Sequence, residues 1–212
     1  LTSYALIAMG PGRAAVAAFK YVIMGTIGAS FYLLGVGYLY IRTGSLNMVD
    51  IREQILLHNM FASETIHVAF MLIMVGVWIK MAFFPLHAWL PNAYANAPTT
   101  TGCILAPLAT KVTVYIMIRM MMTVFGVDYV FQHLDWSGIV VWMSVICILA
   151  GSILALAQTD LKRMLSYLIV AEVGYMVGGV WLANYHGMVG AIYHILGDAF
   201  MTLCLFLAAG MI

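Results

Sequence analysis

Charge is what this sequence has least of. Only 8% of its 212 residues are Asp, Glu, Lys or Arg, against about 25% in an ordinary soluble domain. So large a shortage excludes a water-facing globular surface. The net charge of +1 offers no basic face for nucleic acid, so no nucleic-acid partner is expected. Cysteine is scarce too. Cys103, Cys147 and Cys204 are the three; each sits in an apolar run and none has metal-ligand spacing. They read as small apolar side chains, and no metal site is expected. The chain carries no Gly-rich dinucleotide loop, flavin motif or iron–sulfur cysteine cluster, so no cofactor is expected. Any redox chemistry would belong to other subunits.

What is abundant is apolar: 65% of the residues are hydrophobic. A spanning helix needs roughly 20 mostly apolar residues, because the hydrocarbon core is about 30 Å thick. Six stretches qualify, at about residues 17–41, 65–84, 101–125, 138–158, 163–183 and 188–212. Backbone groups in lipid must pair internally, so the spans are helices. The expected fold class is all-α, a polytopic transmembrane helical bundle. The chain opens on Leu1 rather than Met, on residues that read as the end of an apolar helix, and is still apolar at 203–212. The expectation is an internal fragment of a longer membrane protein.

The connections differ in character. The first loop holds Gly44, Asn47, Asp50, Arg52 and Glu53 and has room for a short surface helix. Pro85, Pro91 and Pro98 follow the second span, which must break or end there. Asp128 and Asp135 mark the third connection, and Asp160 is placed to cap the fifth span. Arg13, Lys20, Lys162 and Arg163 lie on the side that holds the N-terminus, while Arg42 and Arg52 lie opposite. The positive-inside rule therefore puts the N-terminal side in the cytoplasm.

Several ionisable residues stand where lipid disfavours them. Lys80 comes late in the second span, Lys111 in the middle of the third, Glu172 in the middle of the fifth and Asp198 in the middle of the sixth. Each mid-membrane charge costs at least about 2.5–3.5 kcal/mol on insertion scales, and the four together on the order of 10. They are expected to face one another or a hydrated interior path. Plainer readings stay open. Lys80 and Arg119 lie near helix ends and could snorkel to the interface. Lys111 could form a structural salt bridge, and Glu172 and Asp198 could merely join helices. His194 reads better as a hydrogen-bonded interior histidine than as a metal ligand.

Depth and spacing sharpen the expectation. Glu172 and Asp198 lie about ten residues from the turn that joins their spans, so at about 1.5 Å per residue their depths agree. They are expected to meet or to share a polar partner, with His194 as a third member one turn from Asp198. Adjacent carboxylates rarely ionise together, so one is expected to hold a proton. Pro107, one turn before Lys111, kinks the helix and frees the carbonyl of Cys103 from its intrahelical bond. Desolvation disfavours a charged amine, which suits Lys111 to releasing and regaining a proton. Arg119, on roughly the same face, and His67 extend the path.

The motifs then resemble one family. Lys80-Met81-Ala82-Phe83-Phe84-Pro85-Leu86-His87-Ala88-Trp89-Leu90-Pro91-Asn92-Ala93 is similar to the K-x-x-x-x-P-L-H-x-W-L-P-D-A signature of antiporter-like membrane subunits. Ala97-Pro98-Thr99 matches that family's A-P-T. Leu105 to Val112 resembles its lysine-bearing helix, and Asp160-Leu161-Lys162-Arg163-Met164-Leu165-Ser166-Tyr167 its D-[LI]-K-R turn. Members include the M, L and N chains of NADH:quinone oxidoreductase (respiratory complex I), the A and D subunits of the Mrp Na⁺/H⁺ antiporter, and subunits of membrane-bound hydrogenases. The texture looks closest to the D type of the Mrp antiporter and the M type of the oxidoreductase.

The resemblance implies a fold of about fourteen helices with two inverted repeats. Residues 1–127 would close the first repeat and 128–212 open the second. Lys80 would be the central lysine on a broken helix whose loop holds Pro85, His87 and Pro91, and Lys111 the lysine of the next helix. The partnering glutamate would precede the first span, and a second broken helix would follow residue 212. There are departures. Glu172 and Asp198 stand where many members carry histidine, and Asn92 replaces an aspartate. The function implied is proton translocation through a relay of Lys80, Lys111, Glu172, Asp198 and His194. It would be coupled to NADH:quinone-type electron transfer in partner membrane subunits, in a bacterial inner membrane. Two alternatives remain: an Mrp-type exchange of Na⁺ for protons without redox coupling, and a structural scaffold.

Overall fold

The computed structural model describes residues 2–134 and 136–211. Asp135, expected to be a loop charge, and the two end positions lie outside the described residues. The helices are α1 (Thr2–Ala8), α2 (Ala14–Thr43), α3 (Met48–Leu57), α4 (Glu64–Met81), α5 (Trp89–Ala95), α6 (Thr99–Arg119), α7 (Ser137–Leu156), α8 (Leu161–Trp181) and α9 (Tyr185–Ala209). Among the described residues, α2, α4, α6 with its continuation to Phe125, α7, α8 and α9 are long and apolar enough to cross a membrane. The chain is an all-α, multi-pass integral membrane bundle.

Local chemistry sets the helix ends. Asp160 caps α8 by accepting from the Lys162 N–H at 3.0 Å, and Asn184 caps α9 through the Gly187 N–H at 2.6 Å; each satisfies an orphan donor. Gly44 closes α2 in the left-handed region, φ 72°, where glycine carries no steric penalty. Asn47 caps the short helix α3 by accepting from Val49 at 2.9 Å. The third span differs from expectation in its last turn. Beyond Arg119 it widens into a π-helical turn, Met120–Phe125, and the Arg52 guanidinium of α3 donates to the Met122 carbonyl there at 2.8 Å.

The second span ends at Met81, three residues earlier than expected. Ala82 turns the chain into the left-handed region, φ 60°, and Phe84, preceding proline, disfavours helical backbone. The Trp89 indole N–H donates to the Ile79 carbonyl at 2.9 Å, so the tryptophan of the signature satisfies the broken end of α4. Pro91 sits in the first turn of α5, where a missing N–H costs least.

Small residues bring the helices together. A Cβ on Gly76 of α4 would meet the Gly28 carbonyl oxygen of α2 at 2.6 Å. One on Gly151 of α7 would meet the Ala171 nitrogen of α8 at 2.7 Å. Close backbone approach is how membrane helices gain packing when lipid removes the hydrophobic drive between them. The outer face of α7, with Ile139, Trp142, Leu149, Ile153 and Leu156, is exposed and apolar, as a lipid-facing surface must be.

Candidate functional site: a buried lysine between two carboxylates

Three helices converge on one polar cluster. Lys111, one turn after Pro107 on α6, is 3% exposed, and Asp198 and Thr202 on α9 are 0% and 2% exposed. The Lys111 Nζ lies 2.9 Å from Asp198 Oδ2 and 3.7 Å from Oε2 of Glu172 on α8. The ammonium also donates to Thr202 Oγ1 at 3.3 Å, and the Thr202 hydroxyl donates to Asp198 Oδ1 at 2.8 Å. Lysine, threonine and aspartate thus close a ring. Glu172 stands just outside it, with its Oε2 at the longer distance from the ammonium. The cluster holds one ammonium against two carboxylates, at clearly unequal distances.

Spacing placed Glu172 and Asp198 together, and they do share a polar partner, the Lys111 ammonium. The third member expected from the sequence, His194, is elsewhere. Its ring sits edge-on to Tyr175, centroids 5.8 Å apart, and its Nε2 has no hydrogen bond. His194 lies one turn before Asp198, on the side away from Thr202, and there its ring rests against Tyr175 of α8 instead of the ring of Lys111, Thr202 and Asp198. The ring is completed by Lys111 from another helix and by Thr202, which sequence reasoning missed. The available signal was a hydroxyl four residues beyond Asp198, on the same face.

Lys80 belongs to a different setting. On the last turn of α4, its ammonium lies 5.1 Å from the centroid of the Tyr21 ring and 5.6 Å from that of Tyr4. Tyr21 in turn stacks on Trp89 at 4.7 Å. Aromatic faces stabilise a cation without neutralising it, and among the described residues no carboxylate pairs with Lys80. It lines a cavity of about 860 Å³ between α2, α4 and α6. Arg119 lines the same cavity and Lys111 does not. The expectation that Arg119 shares a face with Lys111 therefore needs correction. Eight residues carry a helix about 80° past two full turns, enough to swing Arg119 toward Lys80.

The remaining residues are placed as follows. His67 bonds through Nδ1 to the Ser63 carbonyl at 2.9 Å at the other end of α4. That is thirteen residues, about 20 Å, from Lys80, so it extends neither group. His87, in the loop of the break, stacks on Phe84 at 5.4 Å. Burial holds its imidazole below the ordinary value, against an opposing contribution from a hydrogen bond to the Pro85 backbone. Two stretches of the family signature that are far apart in sequence meet in space. Lys162 donates to Thr99 Oγ1 at 3.0 Å, and Arg163 reaches Asn92 Oδ1 at 3.5 Å, tying the start of α8 to the break and to the start of α6. Among the described residues no group of three or more His, Cys, Asp or Glu side chains gathers to hold a metal ion.

Comparison with known proteins adds the family. Residues 1–212 match the family described as NADH:quinone oxidoreductase/Mrp antiporter, TM. The chain belongs to that family. It is similar to the N subunit of the NADH-quinone oxidoreductase of Desulforudis audaxviator, 46% identical over 99% of this chain and 41% of that one. It is also similar to the D-type subunit of the Na(+)/H(+) antiporter of Alkalihalophilus pseudofirmus, 31% identical over 99% and 42%. Among solved structures, the archaeal membrane-bound sulfane sulfur reductase (MBS) complex contains a similar chain. Its TM-score is 0.86 at 29% identity, over 99% of this chain and 42% of that one. The chain thus spans about two fifths of the length of these relatives. The texture of the sequence suggested the D and M types; the relative at 46% identity is of the N type.

Proposed function

We propose that this chain is part of a proton-translocating membrane subunit, and that protons pass through a relay centred on Lys111, Asp198 and Glu172. The observation that carries the reading is a lysine wholly buried in the bundle with two carboxylates in reach. A buried ammonium with one partner is a fixed strut. With two, it has a second position to occupy when the charge on the first changes. Lys80 lines the neighbouring cavity and acts as the companion lysine in the first of two inverted repeats, which residues 1–127 complete and 128–212 follow. Partners are other membrane subunits of a multisubunit complex, with NADH:quinone-type electron transfer outside this chain. The setting is a bacterial inner membrane, with the N-terminal side of α2 cytoplasmic. A second reading, Na⁺/H⁺ exchange without redox coupling, takes its support from the antiporter relative.

The test is substitution in the full-length protein within its complex, followed by ion flux in membrane vesicles. Lys111→Met and Lys80→Met should each assemble and lower coupled proton flux by at least about tenfold. Lys80→Arg should also fail, because guanidinium keeps its proton in the working range. Wild-type flux with Lys111→Met sinks the relay. Flux that follows an imposed sodium gradient with no electron donor present favours the exchange reading.

A further inference from the structure

Lys111 has two carboxylates in reach yet rests on one. Asp198 and Glu172 are chemically alike, but the ammonium is 2.9 Å from the first and 3.7 Å from the second. Thr202 is what distinguishes them. Its hydroxyl accepts from Lys111 and donates to Asp198, and it lies one turn after Asp198 on α9, so its position is fixed by the same helix. Among the described residues no hydroxyl bonds to Glu172, whereas Asp198 receives that of Thr202 through Oδ1. The Thr202 side chain is 2% exposed, so water cannot freely replace it. We infer that Thr202 is a positioning residue: it latches the Lys111 ammonium to Asp198 and keeps Glu172 as the unoccupied second position.

This inference rests on the relay reading for its functional meaning, but its geometry can be tested alone. Hydrogen bonds to a charged group are among the stronger ones. Loss of the latch should change the preference of Lys111 for Asp198 over Glu172 by about tenfold or more. Thr202→Val keeps shape and removes the hydroxyl. Thr202→Ser keeps the hydroxyl and removes a methyl group.

The experiment is a structure determination of the full-length protein in its complex for both variants. It is joined to proton-flux measurements on Thr202→Val with and without Glu172→Gln. The expected result is a Lys111 side chain drawn toward Glu172, or split between the carboxylates, in Thr202→Val, and an unmoved one in Thr202→Ser. Glu172→Gln should then reduce flux about tenfold more in the Thr202→Val background than alone, since the lysine has become dependent on the glutamate. A lysine that stays on Asp198 without the hydroxyl overturns the inference, as does Thr202→Ser behaving like Thr202→Val. Should Thr202→Val fail to assemble, Thr202→Ala, which adds no bulk, undergoes the same structural comparison. If Lys111→Met leaves flux intact, the relay reading falls, while the atomic positions in the Thr202 variants still decide the latch.

Discussion

At the scale of single residues, the two lysines show how differently one side chain can be held. Lys80 rests against the rings of Tyr21 and Tyr4 beside a large cavity, while Lys111 is enclosed by carboxylates and a hydroxyl. Buried ion pairs are poor evidence of stabilisation. Removing one partner typically costs about 3–5 kcal/mol, whereas replacing a whole pair with apolar groups is often neutral. That asymmetry separates a scaffold from a relay. Asp198→Asn alone should lower the thermal stability of the purified protein, because it leaves Lys111 with only the 3.7 Å contact as an ionic partner. The triple variant Lys111→Met, Asp198→Leu and Glu172→Gln, which leaves no charge of the cluster behind, should recover most of that loss and still translocate nothing. Recovered stability together with recovered flux would assign the cluster a structural role only.

At the scale of elements, what could be read in advance depended on how local the cause is. Span positions come from runs of apolar residues, and the six spans agree with the helices to within a few residues, except where α4 stops at Met81 and α6 passes into its π-helical turn. The first has a local cause, the left-handed turn at Ala82 ahead of Pro85, and the second a distant one. Trp89 satisfies the end of α4, and Arg52 reaches Met122 across 70 residues of sequence. The Glu172–Asp198 pairing was legible because one short turn sets both depths. That Lys111 would face these carboxylates was legible in the cost of burying each charge alone; the part played by Thr202 was not, because nothing local says which face of α6 meets α9. Glycine contacts are another feature of pairs of elements. Gly76→Ala would place a methyl group 2.6 Å from the Gly28 carbonyl and 2.7 Å from the Tyr32 nitrogen, both backbone. It should destabilise the purified protein by about 1–3 kcal/mol. Gly138→Ala, at a site with nothing within 4 Å, should be close to neutral; equal melting temperatures for the two would show that α2 and α4 do not pack as described.

At the scale of the whole molecule, the proposed orientation draws on charge and on connection alike. Lys162 and Arg163, at the start of α8, bond to Thr99 and Asn92 beside the helix break. This basic turn and the break therefore share one side of the membrane, the side on which α2 also begins. Arg13 and Lys20 lie there as well, and an excess of basic residues marks the cytoplasmic face. Asp128, after the π-helical turn, lies opposite. Cys103 and Cys147 are buried and Cys204 is exposed, so a Cys204→Ser background removes the one accessible thiol among them. In that background Thr159→Cys and Asp128→Cys, both at exposed positions, report one side each to a membrane-impermeant thiol reagent. Thr159→Cys should be modified in inverted vesicles and protected in right-side-out ones, and Asp128→Cys the reverse. The opposite pattern would invert the proposed orientation while leaving the geometry around Lys111 unchanged. Modification of both positions from one side would be incompatible with α7 crossing the membrane between them.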